Sequence, residues 1–227
     1  MSAKPQVVQS LHILSSLTDV AIKKLAEQAQ VPIHHETLAF FSAFGQGGVH
    51  QGMAANLSAF PYVSLQMILE KKRDLLLILD EIVDPRNLGA LLRTADAVGV
   101  GGVVLTKDRS APISAVVEKA AVGATAHLSL CRVENLARTL PVIKNAGYWI
   151  VGLTPDTSVS LYEVDFPEKI AVVLGGEEKG LRPLTRSLCD FLVALPMRGK
   201  IQSLNVSVAG AVTLYEFLRK KMKKIQN

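Results

Sequence analysis

The chain has 227 residues, 49% of them apolar, 20% charged and 5% aromatic. At ~150 residues per domain this length allows one domain or two, and the apolar fraction fills a core, which excludes a disordered or low-complexity chain. The formal charge of +5 comes from 25 Lys and Arg against 20 Asp and Glu, but Arg219, Lys220, Lys221, Lys223 and Lys224 crowd an acid-free tail, so the rest of the chain is neutral and a basic nucleic-acid-binding body is not implied.

The N-terminus, MSAKPQVVQS, has neither the basic nor the apolar region of a signal peptide. Unbroken aliphatic runs such as Leu75 to Leu79 fall far short of the roughly 20 residues that span a bilayer. A cytoplasmic protein with no membrane partner is expected. Leu11 to Leu14 reads as a strand, Thr18 or Asp19 as the cap of a helix running to about Gln30, and Val31 to His35 as a second strand after Pro32. A Gly45-Gln-Gly-Gly48 stretch and His50-Gln51-Gly52 precede a strand at Met53 to Leu57. Residues 1–60 therefore form a small α/β domain, and residues 61–74 a linker with a short helix.

From Leu75 onward, nearly all-aliphatic strands alternate with helices. The strands expected are Leu75–Leu79, Val103–Thr106, Leu128–Cys131, Trp149–Leu153, Ile170–Leu174 and Leu192–Leu195. The helices expected are Leu88–Val98, Ile113–Val122, Val133–Ala146, Pro183–Asp190 and Leu204–Lys224. Such alternation gives an α/β fold with a parallel sheet covered on both faces over residues 75–227. The basic tail reads as a solvated helix end or as a phosphate contact. Cys131 and Cys189 sit in apolar runs, as free buried thiols do, and the five histidines lack ligand spacing, so no metal site is expected. His34 and His35 are neighbours and on a strand point to opposite faces.

Ligands of such sheets bind where loops leave the carboxyl ends of strands. Three of these loops stand out. In the first, after Leu79, Pro85 sets a turn and Asn87 suits a helix N-cap, with Arg93 six residues on among Leu91, Leu92 and Ala95. By spacing alone, Arg93 is a snorkelling or salt-bridged helix residue as readily as a functional one. The second, Gly175-Gly176-Glu177-Glu178-Lys179-Gly180-Leu181, follows a buried strand. It lacks the Rossmann spacing, and its two carboxylates repel a pyrophosphate, so it suits a ligand without phosphates or is simply a turn. The third runs from Leu195-Pro-Met197 to Ser203-Leu204-Asn205-Val-Ser207, with Ser203 placed to cap a final helix rich in small residues.

Asn87 with Arg93, Gly175-x-Glu177-x-x-Gly180-Leu181, and Leu195-Pro-Met197 with Ser203-Leu-Asn205-Val-Ser207 occur in this order. Together they resemble the motifs of the SpoU (TrmH-like) RNA ribose 2′-O-methyltransferases of the SPOUT class. The N-terminal part, with its His50-Gln51-Gly52 junction, resembles the bacterial 23S rRNA guanosine-2′-O-methyltransferase branch, without the helical segment that precedes Leu11 in relatives. The resemblance implies S-adenosylmethionine as methyl donor, a C-terminal trefoil knot, a homodimer with its active site at the subunit interface, and RNA, namely 23S rRNA, as partner. Residues 1–60 become an RNA-substrate-binding domain. Arg93 is expected at the acceptor, where a guanidinium, protonated at any physiological pH, positions phosphate and hydroxyl better than it serves as a base. Asn87, Ser203 and Asn205 are expected to orient the acceptor and Arg93, and Glu177 to join the second loop to the first. Gly175, Gly176, Leu195, Met197 and Leu204 are expected around the cofactor. Other readings of the sequence are a tRNA ribose methyltransferase, a non-catalytic RNA-binding or ribosome-assembly module of the same fold, and a Rossmann oxidoreductase, the last disfavoured by the acidic, late glycine loop.

Overall fold

The computed structural model describes residues 7–17, 19–44 and 50–226, so Thr18 and the Gly45–Gly48 stretch lie outside the described residues. The chain divides into two compact units, Met1–Pro61 and Tyr62–Asn227.

The smaller unit has strand β1 (Val8–Leu14), helix α1 (Val20–Gln28), strand β2 (Ile33–Glu36), helix α2 (Leu38–Phe44) and strand β3 (Met53–Leu57). Asp19 caps α1 by accepting from Ile22 N at 3.1 Å. The sheet order is β2-β1-β3, with β2 parallel and β3 antiparallel to β1. Leu11 and Ile13 of β1 pack with Ala26 of α1 and Val31 in a core confined to one sheet face. Helix α2 has no counterpart among the predicted elements, because its aromatic-rich LAFFSAF run carries no helical alternation.

The larger unit begins with helix α3 (Leu65–Glu70). Residues 62–74, read from sequence as linker, belong to this unit: Ile68 is fully buried in its core and Val63 N donates to Leu130 O at 2.8 Å. An apolar face on a short helix needs a core to cover it, which a free linker lacks. There follow strand β4 (Leu75–Asp80), helix α4 (Pro85–Val98), strand β5 (Gly102–Thr106), helix α5 (Ala115–Ala121), a 3₁₀ turn at Ala124–Ala126, strand β6 (Leu130–Val133) and helix α6 (Leu136–Asn145). Strands β7 (Trp149–Leu153) and β8 (Ile170–Gly175), helix α7 (Pro183–Ser187), strand β9 (Phe191–Val193) and helix α8 (Val206–Gln226) complete the unit.

The six strands of this unit pair wholly in parallel in the order β6-β5-β4-β8-β7-β9. Leu76 to Leu79 and Ala171 to Val173 are fully buried, as central strands covered on both faces require. The chain leaves β4 toward β6 and later returns on the other side through β7 and β8. The switch point therefore lies between β4 and β8, whose register sets Asp80 beside Gly175.

The other differences from the sequence reading lie at element ends. Asp84, not Asn87, caps α4, with Pro85 at its first position. Asn205, not Ser203, caps α8: its Oδ1 accepts from Ser207 N at 2.8 Å. Helix α7 stops at Ser187 because Asp190 is held to the sheet, accepting from Ile150 N at 2.8 Å and from Lys144 at 2.7 Å. Strand β6 starts only at Leu130 because the 3₁₀ turn takes up Leu128, whose N–H donates to Ala124 O. The small residues of α8 serve its own chain. A Cβ on Gly210 would stand 2.4 Å from Leu91 and 2.7 Å from Leu174, so α8 lies flush on α4 and β8. Several tail cations also have partners within the chain: Arg219 pairs with Glu216, Lys221 with Asp74, and Lys220 caps the carbonyls of Leu161, Tyr162 and Val164. The hydrogen bond from Arg219 holds the Glu216 carboxyl below its ordinary range.

Candidate active site

A cavity of about 420 Å³ opens at the carboxyl ends of β7, β8 and β9. Its walls are the turn after β7, the glycine loop after β8, and the segment from Leu195 to the first turn of α8.

The glycine loop is shaped by close backbone approach. A Cβ on Gly175 would fall 2.0 Å from the Gly180 carbonyl carbon, and one on Gly176 would fall 2.7 Å from Glu81 O. The loop closes on itself through Gly180 N donating to Gly176 O at 2.9 Å, with Gly180 at φ +62°. Its far end is pinned beneath the sheet edge. Asp80, fully buried at the end of β4, accepts from Arg182 Nε at 3.1 Å and Thr185 Oγ1 at 2.8 Å, while Arg182 Nη2 makes an ion contact 2.7 Å from the other carboxylate oxygen. A buried carboxylate without these partners would be strongly destabilising, so this contact fixes where the loop leaves the sheet.

Glu177 joins the second loop to the first. Its carboxylate accepts from Val83 N at 3.3 Å, Asp84 N at 3.2 Å and Asn87 Nδ2 at 3.1 Å. Asn87 Oδ1 in turn accepts from Asn205 Nδ2 at 2.9 Å, and Asn205 Oδ1 accepts from Ser207 Oγ at 2.6 Å. One polar chain, Glu177–Asn87–Asn205–Ser207, thus fastens all three loops. Because Asp84 takes the cap of α4, the Asn87 amide is free to face Glu177.

Of the residues singled out from sequence, Gly175, Gly176, Glu177, Leu195, Met197, Ser203, Leu204 and Asn205 line this cavity. Asn87 is attached to it through Glu177 and Asn205. Arg93 is not in the cavity wall. It lies roughly 9 Å along α4 and two-thirds of a turn round from Asn87, exposed, and its side chain makes no hydrogen bond or ion pair to any of the described residues. The turn after β7 was missed: Thr154, Pro155 and Asp156 line the cavity, and Asp156 is paired with Arg186 at 3.0 Å. The rule that places sites at strand carboxyl ends would have found this turn, since it follows the aliphatic run of β7.

A family model described as the SpoU rRNA methylase family matches residues 74–215, a span that contains all three loops. The chain belongs to the SpoU rRNA methylase family. The 23S rRNA (guanosine-2′-O-)-methyltransferase RlmB of Pseudomonas aeruginosa is 41% identical to it over 225 residues, covering 96% of this chain and 90% of that one. The protein of the same name from Neisseria meningitidis is 39% identical, covering 97% and 90%. The SpoU methyltransferase AviRb from Streptomyces viridochromogenes, solved in complex with the cofactor AdoMet, shares the fold with a TM-score of 0.83 over 98% of this chain and 87% of that one, at 22% identity. In this SpoU chain the motif residues converge on the β4–β8 switch point, apart from Arg93.

Proposed function

We propose that this SpoU-family chain transfers the methyl group of S-adenosylmethionine to the ribose 2′-hydroxyl of a guanosine in 23S rRNA. The observation that carries this reading is the polar chain Glu177–Asn87–Asn205 tying together the three loops at the cavity, in a protein 41% identical over nearly its whole length to one named for that reaction.

The cavity suits the methyl donor. Its volume of about 420 Å³ is in the ordinary range for small-molecule sites. Gly175 and Gly176 let the loop close tightly on Gly180 and on Glu81, which shapes this wall, and Glu177, Glu178 and Asp156 stand among the lining residues beside Lys179 and Arg186. That mixture favours a ligand with a cationic centre and no phosphate. Gly175, Gly176, Leu195, Met197 and Leu204 would hold it. When bound, S-adenosylmethionine supplies a methyl group made electrophilic by the sulfonium.

The remaining work falls to the chain's own residues. The 2′-hydroxyl is a weak nucleophile that must be held in line and must give its proton to solvent water as the new O–C bond replaces the sulfonium S–C bond. Arg93, exposed and unpaired among the described residues, binds an RNA phosphate and steadies the charge that develops on the hydroxyl oxygen. Asn87, Ser203 and Asn205 orient the acceptor, and Glu177 keeps the loops in register. Because Arg93 stands off the wall of its own cavity, we assign it to the cavity of a second copy, in a homodimer. The exposed apolar side chains Ile201, Leu204 and Val208, beside or on the start of α8, and Tyr215 in its middle support that assembly. Return of the chain after β9 past Glu177 and Asn87 supports the knotted path of the SPOUT class. Residues 1–60 hold the RNA. No helix of the described residues is long and apolar enough to cross a membrane; a place in the cytoplasm follows from the proposed substrate, since rRNA is made there.

Melting of the protein with S-adenosylmethionine and, separately, with NAD tests the ligand assignment. A rise with the former alone is expected. A rise with neither would favour a non-catalytic RNA-binding module.

A further inference from the structure

We propose that the open face of the small sheet is a stacking platform for an unpaired base of the substrate RNA, with His34 as its outer ring. The inference rests on the reading of the chain as an RNA methyltransferase and assigns part of the RNA contact to named side chains.

Leu11 and Ile13 of β1 occupy the core side of this sheet, so Ser10 and His12 face the other way. The register His12↔His34, Leu14↔Glu36 and Ser10↔Asn56 brings His34, Glu36 and Asn56 to that same open face. There the rings form a row. His12 stacks on His34 with centroids 4.9 Å apart and planes at 21°, and on Phe40 of α2 at 5.1 Å and 16°. Phe40 meets Phe41 edge-on at 5.3 Å, and Phe41 stacks on His50 at 5.0 Å.

The middle ring is locked. His12 Nδ1 is 2.8 Å from Glu36 Oε1, and its Nε2 is 3.2 Å from Asn56 Nδ2. An amide nitrogen only donates, so Nε2 accepts and the ring proton sits on Nδ1, aimed at Glu36. His34, by contrast, is exposed. A solvated sheet face needs no ordered row of flat rings. A row backed by a buried Phe41 and held by hydrogen bonds offers a preorganised surface on which a further flat heteroaromatic ring stacks with little loss of freedom. Sequence-tolerant stacking of splayed-out bases on ring-bearing sheets is a general mode of single-stranded RNA recognition.

The test is a fluorescence titration of the full chain with a single-stranded RNA decamer carrying one central 2-aminopurine, whose emission is quenched on stacking. His34→Ala is expected to weaken binding roughly ten-fold or more and to remove the quench. His34→Phe should stay within about three-fold of the unsubstituted chain, and His35→Ala, on the opposite face, should change nothing. Both positions are exposed, and equal melting temperatures of the three variants show that the fold is intact. Unchanged binding and quench in His34→Ala would overturn the proposal and leave the face to a protein partner. Equal losses in His34→Ala and His34→Phe, or in His34→Ala and His35→Ala, would overturn it too. Methyl transfer to 23S rRNA, run in parallel, reads the functional proposal separately: a flat binding series beside intact methyl transfer rejects the platform alone.

Discussion

Asn205 Nδ2 donates to Asn87 Oδ1 across 2.9 Å, joining the cap of the final helix to the first turn of a helix 118 residues earlier. The same Asn87 donates to Glu177, so its amide is read from both ends. An aspartate at position 87 would set a carboxylate against the Glu177 carboxylate and lose the donor. Asn87→Asp is therefore expected to lower kcat/KM more than Asn87→Ala does, with the alanine variant losing roughly thirty-fold, as for two lost hydrogen bonds of about 1 kcal/mol each. Steady-state methylation of both variants checks the order.

Glu177 accepts three N–H groups, two of them backbone. Glutamine keeps one oxygen but turns an N–H₂ group toward those donors. Glu177→Gln is expected to raise the Kd for S-adenosylmethionine about ten-fold, since hydrogen bonds to a charged acceptor contribute roughly 1.5–3 kcal/mol before solvent screening. Isothermal titration reads it directly, and an unchanged Kd would mean that the loop holds its shape without this tie.

Gly175 and Gly176 have no room for a methyl group. Gly175→Ala must push Gly180 away and is expected to cost about 1–3 kcal/mol of stability while abolishing cofactor binding. Urea unfolding and a ligand-induced melting shift measure the two effects separately.

The fold was legible in the larger unit because aliphatic strands such as Leu75–Leu79 and Ile170–Leu174 admit no helical period, and parallel pairing followed from their being apolar on both faces. Helix starts were less so. Asp84 and Asn87, or Ser203 and Asn205, are equally good caps as residue types, and which one is used depends on what the other touches across the sheet. The three site loops could be picked out because each follows a strand. The turn at Thr154–Asp156 obeys the same rule but has no glycine cluster to mark it. The Arg182–Asp80 contact is invisible in sequence, its partners being 102 residues apart.

Burial pushes the Cys189 thiol from its ordinary 9.0 up to about 12, and it donates to Thr185 O at 3.3 Å. Burial raises Cys131 as well. Both thiols are expected to resist iodoacetamide at pH 8 in the folded protein and to react on unfolding. The folded state holds the Cys189 proton more tightly than the unfolded chain does. Its contribution to stability is therefore complete below pH 9 and is lost as pH rises toward 12. Urea midpoints of the unsubstituted chain and Cys189→Ala, compared across that range, should converge as pH rises.

Arg93→Ala is expected to leave affinity for S-adenosylmethionine within a few-fold and to cut turnover by roughly a hundred-fold or more, as for loss of a transition-state contact. Mixing Arg93→Ala subunits with Asn205→Ala subunits should restore up to about half of one dimer's activity if sites are shared, because one site of the mixed dimer then carries both lesions and the other none. Activity near zero in the mixture would place Arg93 in its own chain's site.

The most direct measurement is methyl transfer from isotopically labelled S-adenosylmethionine to unmodified 23S rRNA, followed by mapping of the label. Incorporation is expected at the ribose 2′-oxygen of a guanosine. Label on a base, label accepted only by tRNA, or no incorporation by a protein that binds S-adenosylmethionine would contradict it.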